Sequence, residues 1–163
     1  MDIYYKPISE SGKQMINYVC KYAPVELFKG FGQECAVLEE MPENFDKSDK
    51  IAHANLCGFG KSVIQAVLEG KVEELVLVNC CDSMRRVYDI IENTKKCKFL
   101  YMLDLPHEDN ECENIKFAQS IIRLKNAYER YSHRTFDREL FIKSFAKPQA
   151  IHRSYGCACE QYS

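Results

Sequence analysis

The sequence predicts a Rossmann-like, doubly wound α/β domain, with about three parallel core strands and additional helices at both ends. Three observations carry that expectation. Val72 to Asn79 centres on the apolar run Leu75-Val76-Leu77-Val78, which suits a strand buried on both faces. Lys98 to Leu103 is a second short apolar stretch, and helix-period segments precede and separate the two. Strand and helix therefore alternate through the middle of the chain, the pattern of parallel strands joined by crossover helices.

Element by element, Gln14 to Tyr22 reads as a helix with Met15, Ile16 and Val19 on one side. Pro24 suits the first turn of a short second helix through Phe28, which Gly30 or Gly32 can end. Glu34 to Glu39 reads as the first strand. Met41 to His53 is polar with one proline and reads as a loop with room for a turn of helix. A helix follows from Cys57 to Glu69 and stops at Gly70, then a strand from Glu74 to Asn79, a helix from Asp82 to Asn93 and a strand from Lys98 to Leu103. Pro106 ends that strand's continuation. Phe117, Ile121, Leu124, Tyr128 and Tyr131 recur at helical spacing and predict a long helix from Glu111 to Tyr131. Thr135 to Glu139 resembles a capped start for a last helix ending near Pro148, and Ile151 to Ser163 has no periodicity. The expected organisation is residues 1–33 as N-terminal helices packed on the core, residues 34–147 as the Rossmann-like domain, and residues 148–163 as an irregular tail. Three strands leave a sheet edge open unless something covers it.

At 163 residues the chain can bury a real core without disulfides. A net charge of −2 with interspersed signs gives no general pull toward nucleic acid or an anionic membrane. No apolar run approaches the roughly 20 residues that span a bilayer, and Met1 to Lys13 lack the apolar segment of a secretory signal. A cytoplasmic protein is expected. Nine cysteines are an odd number, and Cys80 and Cys81 are adjacent, which does not fit a framework of paired disulfides. Reduced thiols with a metal-binding subset fit better. Cys35 and Cys97 read as packing residues.

Cys57 and Cys81 stand apart because each opens a helix. A crossover helix runs antiparallel to its strands, so its start lies at the edge where the next strand ends. Both thiols thus belong at the carboxyl edge of the sheet, where α/β folds bind ligands. Helix N-termini favour thiolates and anionic metal–sulfur centres, which makes Cys57 and Cys81 candidate ligands of an iron–sulfur cluster. Cys80 is a further candidate beside Cys81. Arg85 and Arg86 fall in a first turn, where positive charge is unfavourable without a nearby anion. His53 reads as a loop residue and Cys20 as a minor candidate. Cys157 and Cys159 are a further thiol pair in the tail. Gly60-Lys61-Ser62 matches the end of a phosphate-binding loop, but position 55 is Asn55 where that motif needs glycine, and Ile51 to Ala54 is a poor strand. Lys61 and Ser62 are thereby candidates either for phosphate or for supporting the helix start.

At these residues the sequence resembles the amino-terminal domain of the 2-hydroxyacyl-CoA dehydratase and benzoyl-CoA reductase family, including its double-cubane-cluster branch. The likeness covers roughly residues 15 to 147. It rests on Tyr22-Ala23-Pro24-Val25-Glu26-Leu27, on Asn55 to Ser62 as a first cysteine loop, on Cys81-Asp82-Ser83-Met84-Arg85-Arg86 as a second, and on Leu103-Asp104-Leu105-Pro106. The resemblance implies that Cys57 and Cys81 ligate a 4Fe-4S cluster, or a double-cubane 8Fe-9S cluster. It also implies a third cysteine from a second domain, which is expected to lie outside this sequence. It further implies a partner subunit, an acyl-CoA substrate, and one low-potential electron received from an ATP-dependent activator protein, with no activity in the isolated chain. Two other classes remain open from the residues alone: a zinc-stabilised interaction domain, and a phosphate-binding enzyme using Gly60-Lys61-Ser62.

Overall fold

The structure is a computed structural model, and it describes residues 15–39 and 41–146. Its centre is a four-stranded, all-parallel sheet formed by β1 (Ile16–Tyr18), β2 (Cys35–Val37), β3 (Glu74–Val78) and β4 (Phe99–Leu103), in the order β2-β1-β3-β4. The helices are α1 (Val25–Lys29), α2 (Gly58–Leu68), α3 (Asp82–Thr94), α4 (Glu111–Ser132) and α5 (Arg138–Ala146), with a 3-10 turn at Ser48–Lys50 inside the expected loop. The doubly wound α/β class is thus present with one strand more than expected.

The extra strand corrects the reading of Gln14 to Tyr22 as a helix, and with it the expectation of residues 1–33 as purely helical. Ile16 pairs with Cys35 on one side, and Asn17 and Tyr18 pair with Leu75 and Val76 on the other, so β1 lies at the middle of the sheet. Ile16, Tyr18 and Cys20 pack into one core while Val19 packs into the other. That is an alternation of period two, which a segment this short does not distinguish from a helical stripe. Residues 1–14 and the tail from 147, including Cys157 and Cys159, lie outside the described residues.

The sheet divides the core in two. Val76 and Val78 of β3 face α1 and α4, whereas Leu75 and Leu77 face α2 and α3. All four are fully buried, as expected of a central parallel strand covered on both faces. On the α4 side Tyr128 is the hub. Its ring meets Phe28, Phe31 and Phe99 edge-on at 5.2, 5.2 and 5.1 Å, a geometry that favours each pair by about 0.5–1.5 kcal/mol beyond burial. The lead-in to α5 docks at Gly30, whose carbonyl accepts from the Asp137 amide at 2.8 Å. A Cβ at Gly30 would come within 2.4 Å of the Phe136 ring, so only glycine allows this approach. Cys35 and Cys97 are half-buried against the two cores, and burial pushes their thiols up to about 12 and about 11. Both are packing thiols at neutral pH.

Candidate functional site

The strand order sets the position of the site. From β1 the chain crosses to β2 on one side, and from β3 it crosses to β4 on the other. The reversal falls between β1 and β3, and the crevice beyond their carboxyl ends is where doubly wound sheets bind ligands. Cys20 follows the end of β1 by two residues, and Cys80 and Cys81 follow the end of β3 by two and three. Three thiols therefore belong to the two loops that flank the reversal.

These thiols interact. Cys80 has the thiols of Cys20 and Cys81 as its neighbours. Burial first, and then the neighbouring thiols of Cys20 and Cys81, push its thiol up to about 12. Cys81 is the N-cap of α3, in extended backbone with φ −161° and ψ 163°, and its side chain makes no capping hydrogen bond. Cys57 is the N-cap of α2, where its Sγ accepts the Gly60 amide at 3.3 Å. Cys57, Cys80 and Cys81 are exposed, while Cys20 is half-buried.

Two clefts open around the start of α3. One, of about 320 Å³, is lined by Cys80 and Cys81 with Tyr22, Arg85, Pro106 and His107. The other, of about 380 Å³, lies between the His53–Leu56 loop and the first turns of α3, where Ser83 and Arg86 line it. Asp82 lines both. The loop that carries Cys57 and the helix that Cys81 opens thus share a wall. They close on each other at Gly60, where a Cβ would sit 3.0 Å from Val87 Cγ2 and 3.4 Å from the Cys57 sulfur.

The two arginines part company. Arg85 donates from Nε to Asn79 Oδ1 at 2.6 Å, and Asn79 Nδ2 donates to Asp104 Oδ1 at 3.1 Å, which ties α3 to the ends of β3 and β4. Arg86 is exposed at the other cleft. Lys61 and Ser62 are both engaged within the fold. The Lys61 ammonium is 2.7 Å from Asp49 Oδ1, and the buried Ser62 hydroxyl donates to the Gly58 carbonyl at 2.9 Å. Lys61 ties the start of α2 to the 3-10 turn, and the Ser62 bond stays within α2. Among the described residues, no group of three or more His, Cys, Asp or Glu side chains is placed so that it could hold a metal ion.

The helix expected over residues 14–22 hid the place of Cys20 just beyond the end of a central strand. The available signal was the alternation of Ile16, Tyr18 and Cys20 against Asn17 and Val19.

Fold and site together define a doubly wound α/β protein with a cleft at the start of α3 that Cys80 and Cys81 help to line. The family model for the 2-hydroxyglutaryl-CoA dehydratase D-component matches residues 20–155, and the chain belongs to this family. A search of curated proteins gave no match to the chain. No helix among the described residues is long and apolar enough to cross a membrane.

Proposed function

We propose that the chain is the cluster-bearing component of a 2-hydroxyacyl-CoA dehydratase-like enzyme, with Cys57 and Cys81 as thiolate ligands of an iron–sulfur cluster. The observation that carries this reading is that Cys57 and Cys81 are the N-caps of α2 and α3, and that the loop leading into α2 and the first turns of α3 line one cleft, in a chain of the dehydratase D-component family. The donor set fits the group. Both are exposed thiols, and sulfur is a soft donor of the kind that binds iron–sulfur clusters. Cys57 and Cys81 would hold a 4Fe-4S cluster, or the 8Fe-9S double cubane of the related branch, which would supply low-potential one-electron chemistry, fed by an ATP-dependent activator, for an acyl-CoA thioester.

The chain's own residues would orient and shield that chemistry. Arg85, held by Asn79, and His107 line the thiol-bearing cleft and offer donors to an anionic ligand. Leu105 and Pro106 give that cleft an apolar side. A homo- or heterodimeric partner would complete the site, so these residues alone are expected to turn over no 2-hydroxyacyl-CoA even with activator, ATP and reductant.

Anaerobic reconstitution followed by iron and acid-labile sulfide analysis tests the reading. A brown protein with iron and sulfide in near-equal amounts supports it. A colourless protein holding only zinc would establish the zinc-stabilised interaction domain instead.

A further inference from the structure

We infer that Gln65 is the positioning residue of the loop that carries Cys57: its buried carboxamide closes residues 47–65 on themselves and so fixes where that cysteine and one wall of the larger cleft stand. The inference deepens the cluster reading above and rests on it for the chemistry at Cys57. Gln65 lies in α2 and is only 1% exposed. Its Oε1 accepts two successive backbone amides from the loop after β2, that of Lys47 at 3.1 Å and that of Ser48 at 2.9 Å. Its Nε2 donates to Glu69 Oε1 at 2.7 Å. The two amides open the 3-10 turn Ser48–Lys50, whose N-cap residue, Lys47, gives it no side-chain cap. A side chain 18 residues from Lys47 and 17 from Ser48 supplies that cap instead.

From that cap to Cys57 the path is fixed in short steps. Ser48 is fully buried, and its carbonyl accepts the amides of Ile51 at 3.1 Å and Ala52 at 2.8 Å. Ala52 and Leu56 pack against the core shared by α2 and α3. The next turn closes where the Leu56 amide meets the His53 carbonyl at 3.0 Å and the Asn55 amide meets His53 Nδ1 at 3.1 Å. Cys57 follows as the N-cap of α2, and about two helical turns later the chain is back at Gln65. Lys61 and Asp49 bridge the same loop, but Asp49 is 55% exposed, so solvent weakens that pair, whereas the amides on Gln65 have no such substitute. His53, Asn55 and Leu56, which lie on the closed loop, line the cleft that Ser83 and Arg86 face from α3. The position needs an acceptor for two amides and a donor for the Glu69 carboxylate, and a carboxamide provides both. A buried side chain that orients a ligand-bearing segment in this way acts through the ligand and not on the reacting atoms.

The test uses the full chain, the variant Gln65→Leu, and the exchange variant Gln65→Glu/Glu69→Gln. In the exchange variant the carboxylate at position 65 still accepts both loop amides, and the amide at position 69 donates back to it. Amide hydrogen exchange of the metal-free proteins is the first readout. Gln65→Leu should speed exchange over residues 51–60 at least ten-fold, with β3 and α3 unchanged, and the exchange variant should restore the slow rates. Unchanged exchange over 51–60 in Gln65→Leu overturns the inference, as does failure of the exchange variant to restore it. Faster exchange spread equally over β3 and α3 shows a general loss of stability and also overturns it. The unsubstituted chain supplies a check that needs no variant to fold: the Ser48 amide should exchange as slowly as amides inside α2, and exchange at the rate of an open loop overturns the inference. The second readout is the electron paramagnetic resonance of the reduced cluster after anaerobic reconstitution, which should change in Gln65→Leu and return in the exchange variant. An unsubstituted chain that takes up neither iron nor sulfide overturns the cluster reading, and the exchange rates then decide the role of Gln65 by themselves.

Discussion

Arg85 Nε lies 2.6 Å from Oδ1 of Asn79, across the junction between the end of β3 and the first turn of α3. The contact explains how a positive charge is tolerated at a helix start. Asn79 passes the interaction on to the Asp104 carboxylate, which supplies a negative charge beyond it. Replacing Asn79 with alanine should disconnect Arg85 from the sheet edge while keeping the backbone bond from the Asn79 amide to the Leu103 carbonyl at 2.8 Å. The expected loss is about 1 kcal/mol, because both partners are largely solvated. A urea midpoint unchanged in Asn79→Ala would show that the network contributes nothing.

Gly60 and Gly58 should respond oppositely to alanine. A Cβ at Gly60 meets Val87, Leu56 and Cys57 at 3.0, 3.3 and 3.4 Å, and Val87 is fully buried, so α2 and α3 would have to separate. Overpacking of this kind costs about 1–3 kcal/mol, partly offset by the better helix propensity of alanine. Gly58 has nothing within 4 Å of its virtual Cβ, and Gly58→Ala should be neutral or stabilising by about 0.4–1 kcal/mol. Thermal unfolding of the two variants side by side checks the contrast. Equal melting temperatures would mean that the α2–α3 contact is not close.

Glu74 should make the fold pH-dependent. Only 3% of this residue is exposed, and it accepts hydrogen bonds from Tyr131 at 3.0 Å and Tyr128 at 3.3 Å. Burial holds its carboxyl above the ordinary 4.5, against the lowering effect of the two tyrosine hydroxyls. Because the folded value is raised, its contribution is fully present below the unfolded glutamate value and is lost as pH rises through the folded one. Glu74→Gln removes that titration. The variant should lose less stability than the unsubstituted chain as pH rises above the ordinary glutamate value of about 4.3. Parallel stability profiles for the two proteins would contradict the assignment.

Among the adjacent cysteines, Cys81→Ser should reduce cluster content much more than Cys80→Ser. Cys81 caps α3 and directly precedes Asp82, which lines both clefts. Iron analysis of the two reconstituted variants decides it. Equal loss, or loss in Cys80→Ser alone, reverses the choice of ligand.

The segment from Cys57 to Leu103 was legible before any coordinates. Leu75 to Val78 form an uninterrupted apolar run, and the helices on either side are long enough to display their period. The same residues placed Cys57 and Cys81 at helix starts, where the structure has them as N-caps. β1 was not legible, because a strand of three residues carries too few positions to separate a period of two from one of 3.6. Its central place in the sheet is fixed by contacts to Cys35 and Leu75, both distant in sequence.

By itself, then, the sequence determined the α/β class, the helix-capping cysteines and the family likeness, since each depends on neighbours along the chain. Only the tertiary structure decided the order β2-β1-β3-β4, the reversal between β1 and β3, and the place of Cys20 just beyond a central strand. Those depend on which strands pair. Pairing is settled by burial on both faces of the sheet at once, with Ile16 and Val76 in one core and Leu75 and Leu77 in the other.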